Sequence, residues 1–94
     1  MSAPQRAIQS LGILSRRALE ELGALQSNVH HLCMERNIAL RMFVACRSAA
    51  TGYAQREFWL EFVCADQEYR VAVRRLAQFC FEHRHGSRRA PKPE

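Results

Sequence analysis

Between Pro4 and Pro91 the chain holds no proline, and within that stretch Phe58, Phe62, Ala65, Tyr69, Ala72, Leu76, Phe79 and His83 recur at alternating spacings of four and three residues. That spacing lays an apolar seam along one face of an α-helix, and the seam buries itself against a neighbouring helix. It predicts a helix over about 54–84, stopped by Gly86. A second set on the same segment, Trp59, Val63, Val73, Ala77 and Cys80, widens the apolar surface beyond what one antiparallel neighbour covers. Residues 87–94 have no apolar period and read as a basic disordered tail, which leaves a single helical domain over 1–86.

The first half carries an unbroken seven-residue repeat, Leu11, Ala18, Leu25, Leu32, Ala39 and Cys46, flanked by Leu14, Leu22, Val29, Met42, Phe43 and Ala50. Ser2-Ala3-Pro4-Gln5 fits a capping box, so the helix is expected over about 3–50. Gly23 followed by Gln26-Ser27-Asn28 is the place for a break, with Ser27 or Asn28 as a new N-cap. Thr51-Gly52-Tyr53 punctuates the two halves, and Gly52 suits the left-handed conformation that ends a helix.

The fold class is therefore all-α, an antiparallel helical hairpin turning at Gly52. A helix ending near 84 reaches back only to about residue 20, so Ile8, Leu11, Ile13, Leu14 and Leu19 overhang. Buried, each is worth ~1.5 to 3 kcal/mol. Two arrangements cover them: a monomeric three-helix bundle with a break near Gly23 to Asn28, or dimerisation into a helical bundle. Continuity of the repeat and the wide face of the last helix favour the homodimer.

The net charge is +5, with six basic residues against three acidic over 1–50, five against five over 51–86, and three against one over 87–94. Thirteen of the fourteen basic residues are Arg, a bias of GC-rich genomes that suggests a bacterial or bacteriophage source. Arg16, Arg17, Arg74, Arg75, Arg88 and Arg89 are the residues an RNA- or DNA-binding hairpin dimer would use. Against that alternative, Arg70 lies within helical reach of Asp66, and the long helices leave no short recognition helix for reading DNA sequence.

Cys33, Cys46, Cys64 and Cys80 sit in apolar surroundings and read as reduced, buried thiols of a cytoplasmic protein without a membrane span. His30, His31 and Cys33 form one cluster and Cys80, His83 and His85 another, which is the basis of a second alternative, a metal or redox sensor. In a hairpin the two clusters lie about 13 Å apart along the axis, so they share no ion within one chain. Cys46 and Cys64, about 9 Å apart by the same geometry, form no disulfide. Cys33 lacks a third group to orient it as a nucleophile. Glu57 and Glu61, one turn apart beside Arg56, read as a solvated face, and no phosphate-binding loop or nucleophile elbow is present. Neither an enzyme nor a cofactor is expected.

What remains is a surplus of large apolar residues outside the seams: Ile13, Leu19, Ile38, Leu40, Val44, Trp59, Leu60, Val71 and Phe81. Such residues mark protein interfaces, and Arg56, Phe58, Trp59, Leu60 and Val63 have the composition of a binding hot spot. The expected function is a small interaction module, a regulator or inhibitor that binds and occludes an unidentified cytoplasmic protein. On this reading Phe62→Ala unfolds the bundle, whereas Trp59→Ala weakens a partner or dimer contact and spares the helices.

Overall fold

A computed structural model describes Ile8, residues 11–47 and residues 52–84. Two helices account for nearly all of them: α1, Arg16–Cys46, and α2, Gly52–Glu82. They pack as an antiparallel hairpin. The contacts Arg36 to Asp66, Phe43 to Trp59 and Gln55 to the Arg47 carbonyl each straddle residue 51, so the register holds along the loop half.

α1 starts at Arg16, well after the expected start near residue 3; the proposed capping box at Ser2 to Gln5 lies outside the described residues. Ser15 is the N-cap, with extended backbone and a side-chain oxygen that accepts from the Ala18 amide at 3.1 Å. That bond satisfies one of the free amides of the first turn. Ahead of it the chain leaves the helix. The Leu11 amide donates to the Ile8 carbonyl at 3.1 Å, and the Gly12 amide donates to the His83 carbonyl at 3.3 Å. Leu11 and Arg84 form an antiparallel bridge.

This clasp handles the overhang in a way the heptad count did not reveal. The chain bends at residues 12–15 and lays Ile8, Leu11 and Leu14 against the core, while Ile13 points into solvent. The bend is not at Gly23 to Asn28, where α1 runs without interruption, so a three-helix bundle hinged there is not the arrangement adopted. Leu22, Leu25 and Val29 pack on the core on both sides of the glycine, and this tertiary packing outweighs its poor helix propensity, a cost of ~1 kcal/mol.

The turn also differs from expectation. Gly52 is the first residue of α2 and its backbone is not left-handed. α1 closes instead on Arg47, in right-handed helical conformation, whose amide donates to the Val44 carbonyl at 3.3 Å. The Gln55 side chain donates to the Arg47 carbonyl at 2.7 Å and so caps α1 from across the turn.

The core is confined to one half of the hairpin. Ala18, Leu22, Val29, Ala72, Leu76, Phe79 and Cys80 are buried, and among the described residues none between 30 and 71 is. The half near the chain ends is a packed core closed by the clasp; the half near the turn is two helices touching along a half-buried seam.

Candidate protein interface

In the loop half the seam runs Leu32, Arg36, Ala39 and Phe43 on α1 against Phe58, Phe62, Ala65 and Tyr69 on α2, all partly buried. Where it meets the core it is charged. Arg36 lies with its guanidinium 4.7 Å from the Tyr69 ring centre and reaches Asp66 at 3.3 Å, and Arg70 reaches the other Asp66 oxygen at 2.7 Å. The hydrogen bond from Arg70, with the attraction of both guanidiniums, holds the Asp66 carboxyl below its usual range. Arg36 Nε is buried with no partner. The Arg70 to Asp66 pair is as the helical spacing predicts; Arg36 went unread, although position 36 falls between Leu32 and Ala39 on the seam.

Beyond this cluster large apolar residues lie on the outside of the hairpin as well as in its seam, among exposed charged residues such as Glu35, Arg41, Glu57 and Glu61. Met34, Ile38, Leu40, Met42, Val44, Tyr53, Trp59, Leu60 and Val63 are exposed. Met42, expected beside the core, is among them. On α2, Arg56, Trp59, Leu60 and Val63 follow the spacing i, i+3, i+4, i+7 and form one stripe, with Trp59 at its edge beside Phe43 of α1 and the other three turned away from α1. On α1, Met34, Ile38, Met42 and Ala45 form the corresponding outward stripe.

Of the five residues assigned to protein binding, Arg56, Trp59, Leu60 and Val63 lie on the α2 stripe, and Phe58 belongs to the seam, half-buried. Trp59 is 45% exposed and is braced from behind, its ring 5.2 Å from Phe43 and 5.6 Å from Phe62, both tilted. An aromatic held in one orientation loses little conformational freedom when a partner covers it. Phe62 is itself half-buried, whereas Leu76 and Phe79, 1% and 4% exposed, are the large side chains of the core.

The basic residues assigned to nucleic acid are spread out. Arg16, Arg17, Arg74 and Arg75 are exposed, but the hairpin register sets the two pairs about 16 Å apart along the axis; Arg88 and Arg89 lie outside the described residues. Arg16 pairs with Glu20 at 3.8 Å, and Arg75 lines a shallow groove of about 310 Å³ together with Glu68, whose charge opposes an anion there.

The cysteines are free, and only Cys80 is buried; Cys33 and Cys46 are half-buried and Cys64 is exposed, contrary to the expectation of four buried thiols. Burial pushes the Cys80 thiol up. His30 is exposed, His31 reaches Glu35 at 3.1 Å, and the His83 ring stacks on Phe79 at 4.1 Å with Nδ1 at 2.9 Å from the Phe79 carbonyl. His85 lies outside the described residues. Among the described residues no group of three or more His, Cys, Asp or Glu is placed to hold a metal ion, and no helix is long and apolar enough to cross a membrane. Comparison with known protein families, with characterised proteins and with solved structures found no match.

Proposed function

We propose that this protein is a small non-enzymatic interaction module that binds a cytoplasmic protein target and occludes part of its surface with the loop half of the hairpin. One observation carries the reading: the loop half has nine exposed large apolar residues and, among those described, no buried one, while the other half has a closed core. The terminal half supplies stability, and the loop half presents two helical stripes of the kind that enter apolar grooves. Arg56, Trp59, Leu60 and Val63 form the α2 contact, with Phe58 supporting them from the seam, and Met34, Ile38 and Met42 form the α1 contact. Methionine suits such a surface because its unbranched side chain adapts to irregular partners.

The experiment is capture from nuclease-treated source-cell lysate by the tagged chain, with low-salt and then high-salt washes. The expected result is one stoichiometric protein that survives high salt and is lost with Met42→Glu or Leu60→Asp. Recovery of nucleic acid alone, in untreated lysate and only at low salt, would overturn the reading in favour of the arginines.

A further inference from the structure

We propose that the clasp is exchangeable: Ile8 and Leu11 of one chain dock on the terminal core of a second copy, which returns its own pair, with residues 12–15 as the hinge. The inference concerns the terminal half of the hairpin and stands apart from the reading of the loop half.

What already fills the seat is the first argument. The seat is the end of the terminal core with the chain that leaves α2. It holds Ile8 and Leu11, the antiparallel bridge of Leu11 to Arg84, and the hydrogen bond from the Gly12 amide to the His83 carbonyl. The same residues of a second copy make the same contacts, so exchange forfeits none of them and changes only the hinge.

The hinge is the second. Residues 12–15 read Gly-Ile-Leu-Ser, without proline, and the Ile13 side chain is fully exposed, so no packing at that residue holds the bend. Leu14 stands four residues before Ala18 and eight before Leu22, both buried, so it stays on the inner face whether α1 starts at Arg16 or runs on through the hinge. Straightening gives up the Ser15 cap and asks Gly12 to join a helix, and it gains the backbone hydrogen bonds of a further turn.

Reach is the third. On the register set by Phe43 and Trp59, Arg84 stands level with Ala18. Once α1 runs straight, Leu11 lies seven residues further out, ~10 Å past its own seat. It no longer reaches its own core, and that seat is left open. The surface that matches Ile8 and Leu11 is then the vacated seat of another straightened chain, so the exchange is reciprocal and closes as a two-fold dimer. A short tether gives the clasp an effective concentration on the order of 1 mM at its own seat, so the bent monomer holds in dilute solution and the exchanged dimer grows as the chain nears that concentration.

The test is cross-linking between chains. Two full-length versions, Leu11→Cys and Arg84→Cys, each also carrying Cys33→Ser, Cys46→Ser, Cys64→Ser and Cys80→Ala, are mixed at about 1 mM and oxidised. A mixed disulfide dimer is expected, because the two positions face each other in the bridge. Arg74→Cys in place of Leu11→Cys should not form one. Deleting Ile13 removes a side chain that packs on nothing and leaves the hinge too short to bend, so sedimentation equilibrium should give twice 10.8 kDa in dilute solution with helicity unchanged by circular dichroism. Inserting Gly-Gly-Ser-Gly after Ile13 relaxes the bend and should abolish the mixed dimer. Met42→Glu, on the loop half, should leave exchange unchanged. Absence of the mixed disulfide, a disulfide formed equally by Arg74→Cys, or a folded Ile13-deleted chain that stays monomeric overturns the proposal.

Discussion

Arg36 on α1 and Asp66 on α2 meet at 3.3 Å across the hairpin, at the level where the packed core gives way to the half-buried seam. Asp66 also accepts from Arg70, so one carboxylate bridges two guanidiniums. Its folded pKa is lowered from the ordinary 3.8, first by the Arg70 hydrogen bond. A depressed carboxyl contributes stability that is present above its unfolded pKa and is lost as pH falls through the folded value. Stability should therefore fall below about pH 4, and Asp66→Asn should flatten that acid limb while lowering the denaturation midpoint at neutral pH. Urea melts of both proteins from pH 2 to 7 check it; an unchanged acid limb would show that the cluster does not couple to folding.

Gly23 lies inside α1, exposed, with nothing within 4 Å of where a Cβ would stand. Alanine there removes backbone freedom from the unfolded chain and meets no neighbour. Gly23→Ala should raise stability by ~0.5 to 1 kcal/mol, read as a higher urea midpoint at unchanged slope. Destabilisation would mean that α1 bends at this position in solution.

The two halves should answer differently to truncation. Leu76→Ala removes a 1% exposed side chain from the core and should cost ~2 to 5 kcal/mol. Trp59→Ala removes a ring already 45% exposed, so it should leave the helical signal of the isolated chain nearly intact and weaken association. Far-ultraviolet circular dichroism against temperature, beside binding or sedimentation data, separates the two. Equal loss of helicity would place Trp59 in the folding core.

The two helices and their antiparallel pairing were legible because period alone fixes them: the seam from Phe58 to His83 admits no other element, and counting from the turn places Phe43 near Trp59 to within two residues. The start of α1 was not. Leu11, Leu14 and Ala18 keep the same apolar phase whether the chain is helical or folded back, so periodicity does not distinguish them. What decides is the length of α2, which ends at Glu82 and leaves nothing for a straight α1 to pack on before Arg16. Gly12 and Ser15 are the local signals, a residue free to bend and a good N-cap, and they compete with the capping-box pattern at Ser2. Arg36 was missed for the opposite reason: a seam search counts apolar residues, and a guanidinium that lies over Tyr69 and ends on Asp66 occupies a seam position without being one.

Cys80 and Cys64 provide a probe of the core that leaves the sequence unaltered. Cys80 is 1% exposed among the core residues, and its thiol is pushed up by burial, so it holds its proton at neutral pH and no reagent reaches it. Cys64 is exposed on the loop half. In dilute native protein at pH 8, iodoacetamide should label Cys64 readily, whereas Cys80 should react only through opening of the terminal half, at a rate that rises with urea in step with global unfolding. Ser15→Ala removes the hydroxyl that caps α1 beside the clasp, at a cost of ~1 kcal/mol, and should speed Cys80 labelling about fivefold without changing that of Cys64. Peptide mass spectrometry of the labelled chain reads both sites at once. Labelling of Cys80 as fast as Cys64 in the native protein would show that the terminal core is open in solution, and with it that the hairpin needs a second chain to close.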